Sequence, residues 1–156
     1  MSAARLRCKR WYPMQLTKFS DYSLRVLMYL ARRPDEQRTI RDIATAHRIS
    51  ENHLMKVVHQ LAKSGYVKTV RGKGGGVRLA RAVAQISIGA LVREVEPLTP
   101  AECFLPGYDG RCRLFPRCAL RGALHAAQSA FLRTLDAYTL RDMMGPQSRS
   151  PGNAAH

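Results

Sequence analysis

Between Thr39 and Ala80 the hydrophobic period of the sequence changes twice, and that order of periods constrains the fold more than any other feature. Ile40, Ile43, Ala44 and His47 fall at i, i+3, i+4 and i+7, one face of a short helix. Thr39 followed by Asp42 is a capping-box-like start for it. Arg48 and Ile49 make a tight break. Ser50 can then cap a further helix whose inner face is Leu54, Val57, Val58 and Leu61, again at i, i+3, i+4 and i+7. Gly65 supplies its stop. The period then drops to two. Tyr66–Val70 is rich in strand formers, Arg71-Gly-Lys-Gly-Gly-Gly76 reads as a turn, and Val77–Ala80 alternates as a hairpin's return strand does.

Helical runs flank this block. One covers residues 20–33, with Leu24, Leu27, Met28 and Ala31 inside, and ends at Pro34-Asp35. Another starts at Ser87 as cap, buries Ile88, Leu91, Val92 and Val95, and closes at Pro97 and Pro100. Helix, short helix, tight turn, helix and two-stranded hairpin is the order of a winged helix-turn-helix. The expected class is therefore mainly α (α+β), a winged helix-turn-helix with a long C-terminal dimerisation helix. That last helix is expected to run from Cys118 to about Met144, with Leu120, Leu124, Ala127, Phe131, Leu135 and Tyr138 forming a near-heptad seam suited to a partner helix.

The divisions that follow are an N-terminal extension over 1–13, a DNA-binding domain over 14–96, a cysteine-rich loop over 97–117, the dimerisation helix over 118–144 and a disordered tail over 145–156. Residues 1–13 are basic and lack the apolar stretch of a secretory signal. No apolar run is long enough for a membrane helix. A cytoplasmic protein without a membrane partner is expected.

Charge points to the partner. The chain carries 26 Lys and Arg against 11 Asp and Glu, a formal net charge of +15. Residues 1–80 hold 17 of the basic and 5 of the acidic residues, so the field is concentrated where the helix-turn-helix lies. Such a field attracts a polyanion, and double-stranded operator DNA fits the fold. The outer face of the helix after Ser50 carries Asn52, His53, Met55, Lys56, His59, Gln60 and Lys63. Asn52 and Gln60 suit paired hydrogen bonds to adenine, and Lys56 suits guanine or phosphate. His53 shares that face, and Arg71 and Lys73 on the turn suit phosphates or a minor groove. The glycine turn is not a phosphate loop: it lies between strands and no Gly-Lys-Ser/Thr follows.

The spacing Cys103-x8-Cys112-x5-Cys118 places three soft ligands in one loop that also holds Pro106, Gly107, Gly110 and Pro116. Iron–sulfur chemistry or zinc would suit three thiolates, and the close pair of a zinc knuckle is absent. Three unconnected reduced thiols stay open as the plain alternative. A cluster ordinarily takes four ligands. Cys8 is a candidate for the fourth but falls in the extension.

Three segments together resemble a known family: Met14-Gln-Leu-Thr-Lys-Phe-Ser-Asp-Tyr-Ser-Leu-Arg-Val-Leu27, Val70-Arg-Gly-Lys-Gly-Gly-Gly76 and Ile88-Gly-Ala-Leu-Val-Arg-Glu-Val-Glu-Pro97. They are similar to the NsrR family of nitric-oxide-sensing repressors, relatives of the iron–sulfur regulator IscR, over about residues 14–144. The resemblance implies a homodimeric winged-helix repressor with an iron–sulfur cluster on Cys103, Cys112 and Cys118, 4Fe–4S ahead of 2Fe–2S. It implies nitric oxide as the signal and nitric oxide detoxification genes as the target. It also suggests Asp21 of the partner subunit as the missing ligand, an acid whose plain role is to favour a helix start. The gap from Cys103 to Cys112 is longer than is usual in the family, and Pro106-Gly107 is where extra residues can loop out.

Two rival readings keep the same fold: a regulator sensing cluster supply, as IscR does, and a cluster-free thiol sensor. An enzyme is not expected. The five histidines are scattered, and neither a nucleotide fingerprint nor a nucleophile with its base is present.

Overall fold

A computed structural model of the chain describes residues 15–145 apart from 71, 73 and 116. The expected extension, Cys8, Arg71, Lys73 and nearly all of the tail therefore lie outside the described residues.

The architecture is mainly α with one small sheet, a winged helix-turn-helix. Helices α1 (Lys18–Ala31), α2 (Ile40–His47) and α3 (Glu51–Lys63) are followed by strands β1 (Val67–Val70) and β2 (Gly76–Leu79), then α4 (Ile88–Val95) and α5 (Ala119–Asp136). Strand β1 pairs antiparallel with β2, Val67 facing Leu79 and Val70 facing Gly76.

Local chemistry explains the helix-turn-helix. Thr39 and Asp42 form the reciprocal box, the Asp42 amide donating to Thr39 Oγ1 at 3.1 Å and the Thr39 amide to Asp42 Oδ2 at 3.0 Å. These bonds hold the Asp42 carboxyl below its ordinary range. The break is one left-handed residue, Arg48 (φ 54°), which lets Ile49 turn inward. Ser50 Oγ accepts from the His53 amide and starts α3. Leu54, Val57, Val58 and Leu61 are all buried, and Gly65 (φ 73°) follows the helix in the conformation a left-handed stop requires.

The expected stripe on α1 is corrected. Leu27 and Ala31 are buried, but their companions are Val26 and Leu30, while Leu24 is half-buried and Met28 exposed. The helix packs against α2, α3, α4 and β2 at once, so more than one of its faces is covered and a single stripe cannot describe it. The last helix is corrected too. It stops at Asp136, not near Met144. The chain then turns back into the core: Leu140 is fully buried, its amide donates to Ile86 O at 2.8 Å, and Asp142 Oδ2 accepts from the Thr139 amide.

Two glycines are required by close approach. A Cβ on Gly76 would sit 2.8 Å from Arg38 O, where Arg38 and Val77 exchange hydrogen bonds in a one-residue bridge beside β2. A Cβ on Gly89 would sit 2.8 Å from the Asp136 amide, so Gly89 lets α5 end against α4. Arg93 then clasps Asp136 with two bonds of 2.5 Å, and this pairing keeps the Asp136 carboxyl below its usual range.

Candidate functional site

The outer face of α3 is open along its length. Asn52, His53, Met55, Lys56, His59 and Lys63 are exposed and Gln60 half-buried, all opposite the buried stripe. On the hairpin, Lys68 and Arg78 face each other across the strands and are exposed. The helix and the sheet thus present cations and amides on adjoining elements, which suits a major groove with phosphates beside it. Arg41 reaches Glu51 at 3.4 Å, tying α2 to the start of α3.

The start of α1 leans on this face. Lys18, Phe19 and Tyr22 line a small cavity of about 210 Å³ together with His53, Lys56 and Val57 of α3. The Tyr22 and His53 rings are 6.3 Å apart. Asp21, in the same turn, is half-buried and gripped side-on by Arg25 at 2.9 Å from both oxygens. The helix start itself is held from a distance. Glu96, at the end of α4, accepts from the Thr17 amide (3.0 Å), from Thr17 Oγ1 (3.0 Å) and from the buried Ser20 hydroxyl. A capping box normally takes its carboxylate from the third helical residue; here that residue is Ser20 and the acid comes from 79 positions away. Sequence reasoning missed this clamp. The signal available was Glu96 standing before Pro97, an acid at the wrong end of a helix for its dipole.

Directly after the clamp the chain leaves for the cysteine loop. Cys103, Cys112 and Cys118 are free thiols; Cys112 is exposed and the other two half-buried. Cys103 sits in a short turn of 3₁₀ helix over Glu102–Phe104, and Cys118 is the N-cap of α5, with no side-chain cap bond. The Cys112 amide donates to Tyr108 Oη at 2.9 Å, and the Tyr108 and Phe115 rings meet edge to face at 5.5 Å. Gly107 and Gly110 take positive φ, the turns that fold the loop back. Gln128 Nε2 donates to Leu98 O and ties the loop's start to α5. The Arg121 guanidinium lies over the Phe104 and Phe115 rings.

Three free thiols on one glycine-hinged loop match the soft donor set that an iron–sulfur cluster takes. The loop is held by turns and aromatic contacts rather than by a packed core. Among the described residues no three His, Cys, Asp or Glu side chains converge closely enough to hold one ion, and Asp21 is partnered by Arg25. The donors fit the group; the single chain does not bring them together with Asp21.

A broad apolar groove of about 520 Å³ runs between α1, α4 and α5, lined by Leu16, Leu24, Val92, Leu124, Phe131 and Leu135 among others. No described helix is long and apolar enough to cross a membrane.

Residues 16–146 match the Rrf2 family, described as iron-dependent transcriptional regulators. The chain is 53% identical over 133 residues to the HTH-type transcriptional regulator NsrR of Geobacillus kaustophilus, covering 84% of this chain and 90% of that protein. It is 47% identical over the same share to NsrR of Halalkalibacterium halodurans. Among solved structures it is similar to CymR, the global cysteine regulator of B. subtilis, with a TM-score of 0.66 and 26% identity over 85% of this chain and 97% of that one. Its fold is also that of T. potens IscR, at a TM-score of 0.67 and 22% identity over 92% of this chain and 94% of that one.

Proposed function

The chain belongs to the Rrf2 family of transcriptional regulators, and from that premise we propose that it is a homodimeric repressor that senses nitric oxide through an iron–sulfur cluster and releases detoxification genes. One observation carries the reading: a chain this close to NsrR has three free thiols, Cys103, Cys112 and Cys118, on the loop between α4 and α5.

In this reading α3 enters the major groove. Asn52 and Gln60 face bases, Lys56 a base or phosphate, and His53 the backbone. Lys68, Arg78, Arg71 and Lys73 follow the phosphates from the wing. Two copies pair through α5. In support, the first half of α5 is open, with Leu120 64% exposed, and the groove beside the helix is apolar. Pairing sets two α3 helices about one or more DNA turns apart, ~34 Å each. Cys103, Cys112 and Cys118 hold the cluster, with Asp21 of the partner subunit completing the set. When bound, the cluster would supply iron sites with affinity for nitric oxide. This chain's residues supply the rest. Glu96 joins the loop's root to α1, and Phe19 and Tyr22 join α1 to His53 and Lys56. Any movement of the loop's root therefore has a route to α3, by hydrogen bonds from Glu96 to the start of α1 and by side-chain packing of α1 beside α3.

The test is anaerobic purification with an absorption spectrum and iron and sulfide analysis, followed by nitric oxide titration with operator DNA present. Tight DNA binding by the iron–sulfur form that fades with nitric oxide is expected. Cys112→Ala should lose the visible absorbance; its retention would sink the ligand assignment. A response to oxygen or iron limitation but not to nitric oxide would favour the cluster-supply role. Nitric-oxide-insensitive binding by a protein free of iron would favour direct thiol chemistry.

A further inference from the structure

The proposed function uses the three thiols but leaves the cation among them without a task. Arg121 is in the first turn of α5, just after Cys118. Its guanidinium carbon is 5.2 Å from the ring centre of Phe104, the neighbour of Cys103. It is 5.7 Å from that of Phe115, whose amide donates to Cys112 O at 3.0 Å. One guanidinium therefore meets the segments that carry all three thiols. Burial sets it apart from the loop's other cations: Arg113 and Arg117 are exposed, whereas Arg121 is half-buried. Arg111 is met by Asp109 at 2.8 Å and Glu102 at 3.9 Å. Arg121 forms no such pair among the described residues, and its Nε is buried without an acceptor there. A buried donor on a charged group is costly to leave without an acceptor.

We propose that Arg121 is the outer-shell cation of the cysteine site, donating its Nε–H to an anionic sulfur, thiolate or sulfide, held among Cys103, Cys112 and Cys118. The inference rests on the metal-binding reading of this loop. Three thiolates on one centre leave excess negative charge, and a fixed donor beside it lowers the cost of gathering them. Arginine suits the task because its planar, weakly hydrated group stacks on two aromatic rings while keeping a donor free. Stacking thus positions the charge, and the charge retains the metal.

The test compares the full chain, purified anaerobically, with Arg121→Met and Arg121→Lys. Met keeps the stem and apolar bulk; Lys keeps the charge. Two readouts are needed: the rate of iron loss to a chelator, and affinity for Cd²⁺ followed by the ultraviolet thiolate–cadmium band. Losing an outer-shell partner should cost Arg121→Met about 10-fold in both. Arg121→Lys should recover a substantial part, and both variants should keep the parent's circular dichroism and thermal midpoint. Parent-like values in Arg121→Met would overturn the proposal, as would a fall in thermal midpoint that parallels the metal loss, which would reduce Arg121 to packing. The two readings fail separately. A parent protein with no iron or sulfide, but with the same order of Cd²⁺ affinities, would sink the cluster and support Arg121. A parent that holds the cluster, with unchanged variants, would sink Arg121 alone. A parent that binds neither metal would overturn both.

Discussion

Leu27, Leu30, Ile43, Leu54, Leu61 and Leu91 of the DNA-reading half are at most 1% exposed, whereas α5 buries none of its residues within one chain. The cysteine loop before it resembles α5 in this respect. It is held by the Tyr108 hydroxyl, the Gln128 amide, the ion pairs of Arg111, a few turns and aromatic contacts. The reading half is a packed body with its own core. The loop and α5 form an outer layer, in which Phe131, Leu132 and Leu135 of α5 pack partly buried against that core. With few buried apolar contacts, the loop is held less strongly than the packed half.

The comparison can be broken at several points. The largest effect should come from the charged face. If the repressor makes about six phosphate contacts, operator affinity should fall ~10³-fold between 50 and 200 mM salt, measured by fluorescence anisotropy. A shallow slope would place the positive charge elsewhere than on DNA. Next comes the core. Leu54→Ala should cost about 2–5 kcal/mol in denaturant unfolding. Leu120→Ala, at a site 64% exposed, should change a monomer's stability by no more than about 0.5 kcal/mol. A large loss at Leu120 would show that α5 is already packed, by a second copy or otherwise.

Glu96→Ala should cost about 1–3 kcal/mol, because the Thr17 amide and the buried Ser20 hydroxyl lose their acceptor. Hydrogen exchange should show α1 opening while α3 stays protected. Simultaneous opening of both would mean that α1 and α3 move as one unit. The smallest effect is pH-dependent. Arg93 holds the Asp136 carboxyl below its ordinary value, so its stabilisation is complete above the unfolded-state value and is lost as pH falls through the folded one. Docking of α5 on α4 should therefore loosen only in acid below the usual carboxylate range. Asp136→Asn should abolish that step in an acid titration of α5 amide signals.

The reading helix and its stripe were legible because each step is local. Thr39, Asp42, Ser50 and Gly65 act on backbone within four residues of themselves, and Leu54, Val57, Val58 and Leu61 share one face by helical geometry alone. Legibility failed where a helix has several neighbours or a distant partner. Val26 displaced Met28 from the core because α1 is covered on more than one side. The last helix ended early because Leu140 is drawn into the body next to Ile86, a contact between residues far apart in the chain. The candidate site divides the same way. The chemical identity of its donors could be read from cysteine spacing, but the position of Arg121 between Phe104 and Phe115 could not.

By itself the sequence determined the order of helices and strands, the cationic outer face of α3, and a loop with three soft ligands. Period, capping and charge act over one or two turns of chain, so they need no partner to be read. Only the tertiary structure decided that Glu96 caps α1, that Gly89 admits the end of α5, and that Arg121 lies over the rings of Phe104 and Phe115. Those facts are distances between residues far apart in the sequence or set by loop closure. Local preference does not specify such distances; they follow from which surfaces pack and which buried polar groups must find a partner.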